Sequence, residues 1–76
     1  MYINRKLIQD FWLDDGSVFT DRIIKSYGID KKDDSALYDK IQKILVRSKR
    51  SFYRGESITS ADIDGEITRL IEKSKT

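Results

Sequence analysis

The sequence predicts an all-α fold, a small bundle of three to four helices over residues 4–13, 17–27, 34–50 and 60–73. Three observations carry that expectation. Apolar residues recur three and four apart in four separate stretches. Gly16, Gly28 and Gly55 fall between those stretches, and no proline interrupts any of them.

The first stretch places Leu7, Ile8, Phe11 and Trp12 on one stripe, with Ile3 a turn earlier, while Arg5, Lys6, Gln9 and Asp10 fall away from it. Phe11 and Trp12 lie about a hundred degrees apart on a broad apolar face. Trp12 is therefore expected in the core rather than as an exposed anchor for a partner. Asp14-Asp15-Gly16 is a stop, because Asp bonds its own backbone and Gly accepts positive φ.

In the second stretch Ser17 is the expected cap, Thr20 and Asp21 occupy the first turn, and Phe19, Ile23 and Tyr27 lie four apart. Gly28 suits the left-handed position that ends a helix, with Ile29 folding apolar surface back in a Schellman-type stop. A charged connection, DKKDD, follows at residues 30–34.

The third helix is expected to start at Asp34 or Ser35, to run through Leu37, Ile41, Ile44 and Leu45, and to end near Arg50. Residues 51–59 admit two readings. Either the helix continues toward Phe52, or Gly55-Glu56 forms the type II′ turn of a short β-hairpin wing, with Tyr53 facing Ile58 across the strands.

The fourth helix is the most clearly specified. Thr59 is an N-cap, Asp62 stands at N3 of a capping box, and Ile58 and Ile63 are placed as a hydrophobic staple. Ile63, Ile67, Leu70 and Ile71 make its apolar face, which Gly65 weakens by ~1 kcal/mol relative to Ala. Lys73 and Lys75 suit its C-terminal dipole.

Seventy-six residues make one domain, 1–76, near the lower size limit for a single core. Hydrophobic and charged residues are nearly equal, 38% against 37%, so the core is thin and association with another chain would add stability. Cysteine is absent, which excludes disulfides and thiolate metal sites. The opening MYINRKLIQDF lacks the apolar run of a signal peptide, and no stretch approaches a membrane span. The expectation is a soluble cytoplasmic protein that uses no membrane.

Histidine is also absent, and ten of the thirteen acids are aspartates placed at helix starts rather than paired in an apolar pocket. Catalysis is not expected, nor is a cofactor. The aspartates 30, 33, 34 and 39 lack the glycine and terminal glutamate of a calcium loop, so capping and turn formation account for them and no metal site is expected.

Function is expected from KILVRSKRSFYRGESIT. Lys40, Lys43, Arg47, Lys49, Arg50 and Arg54 fall within fifteen residues that contain no acid, with Phe52 and Tyr53 among them. Lys40, Lys43, Arg47, Arg50 and Arg54 are spaced three, four, three and four apart, which makes a cationic stripe opposite an apolar one. Such a stripe can track phosphates through arginine forks and lysine point charges. The candidate nucleic-acid-binding residues are Lys40, Lys43, Arg47, Lys49, Arg50, Tyr53 and Arg54. The expected role is a small regulator or accessory protein that binds double-stranded DNA.

The alternative is a protein-interaction module, an inhibitor or adaptor that docks a helix face into an acidic groove of a larger partner. A merely solvated basic face is the bland reading of the same charges. Glu56, Asp62, Asp64 and Glu66 make the start of the fourth helix acidic. They serve internal pairing, self-association as a homodimer, or a second surface for a basic partner.

Within residues 22–44, IIKSYGID sets a glycine between two helices with Tyr27 and Ile29 on either side, and in this the segment resembles a helix-turn-helix motif. It departs from the motif in the long charged connection DKKDD and in Ile24, where a small residue normally lets the helices approach.

Overall fold

The computed structural model describes residues 2–13 and 19–75, in which the four stripes become α1 (Tyr2–Leu13), α2 (Phe19–Ser26), α3 (Ser35–Tyr53) and α4 (Ser60–Ser74). The Asp14-Asp15-Gly16 stop and the Ser17 cap lie outside the described residues. No strand occurs among the described residues, and no described helix is long and apolar enough to cross a membrane.

Local chemistry sets most of the boundaries. Asp34 caps α3, its Oδ1 accepting from the Leu37 backbone N–H at 3.1 Å. Thr59 and Asp62 form a reciprocal capping box at α4, with hydrogen bonds of 3.1 and 3.2 Å. Asp30 accepts from the Lys32 N–H and shapes the connection before α3. That connection runs from Tyr27 to Asp34, well beyond the three or four residues of a helix-turn-helix turn, and Ile24 is fully buried.

Gly28 ends α2 as expected, with φ at +80°, its N–H bonded to Lys25 O and the Ile29 N–H bonded to Ile24 O. Gly55 ends α3 in the same way. Its φ is also +80°, its N–H bonds Phe52 O, and the Glu56 N–H bonds Ser51 O. The hairpin wing over 51–59 is therefore not formed. Tyr53 belongs to the last turn of α3 and does not face Ile58 across a ladder, and the helix runs three residues past Arg50.

Tertiary packing explains the extra turn. α1 and α3 each lie against all three other helices. The core comprises Ile8, Phe11 and Trp12 from α1, Ile23 and Ile24 from α2, Leu37, Tyr38, Ile41 and Leu45 from α3, and Ile63, Ile67 and Ile71 from α4. Trp12 is buried, as its position on the stripe predicts, and its indole N–H donates to Ser48 Oγ at 2.9 Å. Ser48 in turn donates to Leu45 O, so its buried hydroxyl both accepts and donates. Phe52, one turn on, stacks on Trp12 with centroids 5.1 Å apart. Such a pair adds about 0.5–1.5 kcal/mol beyond its area, and it requires α3 to stay helical through Phe52.

Polar links tie the helices at two further places. Tyr38 OH donates to Asp21 Oδ1 at 2.6 Å, joining α3 to α2. That hydrogen bond holds the Asp21 carboxyl below the usual carboxylate range and pushes the Tyr38 phenol up to about 12. Asp64 of α4, buried, accepts from Tyr27 OH at 2.5 Å and lies 3.4 Å from Arg5 Nε of α1. Burial first, and the Asp64 hydrogen bond second, raise the Tyr27 phenol well above its ordinary value.

Candidate nucleic-acid interface

A helix turns about 100° per residue, so Lys40, Lys43, Arg47 and Arg50 share an arc of about 80° on α3, over a length of about 15 Å. All four are exposed, and the inner face that opposes them carries Leu37, Ile41, Leu45 and Ser48. Arg54 follows just past the helix end as its C-cap residue and is also exposed. The structure thus brings five of the seven expected residues to one side of the molecule.

The other two differ. Lys49 lies about 140° round from the middle of that arc. It is half-buried, with its ammonium 4.7 Å from the centroid of the Phe11 ring, where it covers the α1 side of the core. Tyr53 lies past the C-terminal end of the arc and about 100° round from its middle, on the Lys49 side. It is 59% exposed, and its ring meets Phe52 edge-on at 5.8 Å.

Charge is unevenly divided. From Ser35 to Arg54 there are six cations and one acid, whereas the rest of the chain has nine cations and twelve acids. The whole positive excess of the protein therefore resides on α3 and its cap.

Three of these cations are paired. Lys43 meets Asp39 one turn earlier at 3.2 Å, Arg47 meets Glu66 of α4 at 2.6 Å, and Arg54 meets Glu56 at 3.1 Å. Each pair is solvent-exposed, and such pairs contribute about 0–1 kcal/mol, so an incoming anion can replace the carboxylate at small cost. Lys40 and Arg50 form no ion pair among the described residues.

The acids around the start of α4 each have a partner within the chain. Asp62 closes the capping box, Asp64 turns inward, Glu66 reaches Arg47, and Glu56 reaches Arg54. Internal pairing, one of the three expected uses of these acids, is realised at Glu66. Among the described residues no three acids converge to hold a metal ion.

A shallow groove runs along the outward face of α3, lined by Asp39, Gln42, Lys43, Val46, Arg47 and Arg50. Gln42 and Val46 are residues that the charge pattern alone overlooks. Their signal is spacing: Val46 is three beyond Lys43 and four before Arg50, so periodicity places it in the stripe despite its apolar side chain. No family model, curated protein or solved structure matches the chain.

Proposed function

We propose that the protein is a small, non-catalytic nucleic-acid-binding regulator or accessory protein that engages double-stranded DNA through the outward face of α3. The observation that carries this reading is that Lys40, Lys43, Arg47, Arg50 and Arg54 lie exposed on one side of the segment that holds the protein's positive excess. Arg47 and Arg50 supply planar forks for phosphate oxygens, and Lys40 and Lys43 supply point charges. Asp39 and Glu66 release their cations as phosphates take their place. Contacts of this kind read the backbone, so sequence preference from this face is weak.

Fluorescence anisotropy of a labelled duplex against salt tests it. With four to five cations engaged, log K should fall with log salt at a slope of roughly −3 to −5. Arg47→Glu with Arg50→Glu should abolish most binding. Lys6→Glu with Lys32→Glu, an equal change of net charge at exposed residues elsewhere, should weaken it far less. Arg5 is unsuited to that control because it lies against Asp64. Equal losses from the two pairs would mean diffuse attraction instead of a site, and no binding of DNA or RNA at low salt would end the reading.

A second reading rests on Val46, which is 39% exposed between Lys43 and Arg50 along the helix, at the edge of the cationic face. A basic helix face with an aliphatic border also fits an acidic protein groove, as an inhibitor or adaptor would use it. A pull-down that survives nuclease treatment, together with absent DNA binding, selects that account.

A further inference from the structure

We infer that Tyr53 is a stacking platform for an unpaired nucleobase, so that the preferred ligand is a duplex continuing into a single strand. The inference rests on the phosphate-binding reading of α3 and adds a ligand class to it. Tyr53 is the only exposed aromatic residue among those whose side chains are described. Its ring is not loosely held. It meets Phe52 edge-on, Phe52 stacks on Trp12, and Trp12 is buried and bonded to Ser48. A line of three aromatic rings therefore runs from the core to the surface, and a ring anchored in this way loses little freedom when a base stacks on it.

The surroundings of the ring are cationic. Arg50 precedes it by one turn, Arg54, paired on the surface with Glu56, follows it directly, and the Lys49 ammonium lies 5.9 Å from its centroid. An exposed aromatic face rimmed by cations is the chemistry that holds single-stranded nucleic acid, through stacking on bases and attraction to the backbone. Within a duplex the base faces are already stacked on one another, and a ring on a helix surface meets only edges and sugar–phosphate. An unpaired base presents its open face. Because Tyr53 stands one turn past Arg50 and about 60° round the helix from it, a paired segment on the arc formed by Lys40, Lys43, Arg47 and Arg50 and an unpaired base on Tyr53 are bound together at a duplex–single-strand junction.

The test compares a blunt duplex with the same duplex carrying a short 3′ or 5′ overhang that contains 2-aminopurine. Affinities are measured by anisotropy for the parent protein, Tyr53→Leu and Tyr53→Phe, with urea midpoints to confirm that each variant is folded. The parent should prefer the better overhang by about tenfold, the size of one base–aromatic stack. It should also quench 2-aminopurine on binding. Tyr53→Leu should bring the overhang-to-blunt ratio to one and remove the quenching, and Tyr53→Phe should retain both. Equal parent affinity for blunt and overhang duplexes, or a Tyr53→Leu variant that keeps the preference, overturns the platform while leaving the phosphate face standing. Absence of binding to every ligand at low salt overturns the phosphate face, and the platform with it.

Discussion

Asp64 and Glu66 lie two residues apart on α4, each beside an arginine of a different helix, and they do opposite work. Glu66 meets Arg47 of α3 at 2.6 Å with both side chains open to water. Asp64 meets Arg5 of α1 at the longer distance of 3.4 Å, but its side chain is only 9% exposed and it also holds the Tyr27 hydroxyl. Two positions on a helix differ by about 200°, so one acid points across the surface and the other into the bundle. The shorter pair is the weaker one. Water screens the exposed pair and solvates either partner when the other leaves, whereas a buried carboxylate taken away strands the groups it satisfied.

That contrast is open to direct test, beginning with the largest effect. Asp64→Ala leaves the Tyr27 hydroxyl without its acceptor and should cost about 1–3 kcal/mol, read as a lower urea midpoint. A midpoint equal to the parent's would mean that the Arg5–Asp64–Tyr27 contact contributes nothing to stability and that the two pairs are alike.

Thr59→Ala calibrates the same helix by removing the cap that accepts from the Asp62 N–H, at ~1 kcal/mol. Against a marginal small domain that loss should be plain in the same denaturation series. It should fall below the loss from Asp64→Ala, and the reverse order would assign the stability of α4 to its cap and not to its buried acid.

The Tyr38–Asp21 contact sharpens the comparison through pH. The Tyr38 phenol is raised from 10.0 to about 12, so the unfolded chain releases that proton first. The stability it contributes is complete below pH 10 and is lost as pH climbs toward about 12. Tyr38→Phe should flatten part of that alkaline decline. An unchanged slope would show that the phenol titrates alike in both states. Asp21 acts with opposite sign, its depressed carboxyl giving stability that is lost as pH falls through the acid range.

The smallest effect on stability belongs to Glu66→Gln, which should shift it by less than about 1 kcal/mol. It releases Arg47, and duplex affinity should rise a few-fold with a steeper salt dependence, as measured by anisotropy. A loss of stability matching that of Asp64→Ala would erase the distinction between the two pairs.

Much of this molecule is decided within one helical turn, and that part was legible. The Thr59–Asp62 box, the Asp34 cap, the Gly28 stop with Ile29 and the core position of Trp12 all follow from residues three to five apart. The same holds for Lys40, Lys43, Arg47 and Arg50, whose common face is a consequence of spacing alone. Val46 was overlooked because an apolar residue on a charged face carries no charge signal, although its spacing marks it.

The sequence by itself determined the four helices, the starts of α3 and α4, the stop at Gly28, and the shared direction of the cations, because each depends on atoms that are neighbours along the chain. Only the tertiary structure decided where α3 ends and which groups Lys49 and Asp64 meet. Gly55 shows why. A type II′ turn and a helix stop both ask for a glycine at positive φ, so the local signal is the same for hairpin and helix. The choice fell to Phe52 reaching Trp12, forty residues away. The partners of Asp64, Tyr27 and Arg5, are likewise distant in sequence and near only once the helices have packed. Contacts between residues so far apart in sequence leave no periodic trace, and they form only when the whole bundle closes.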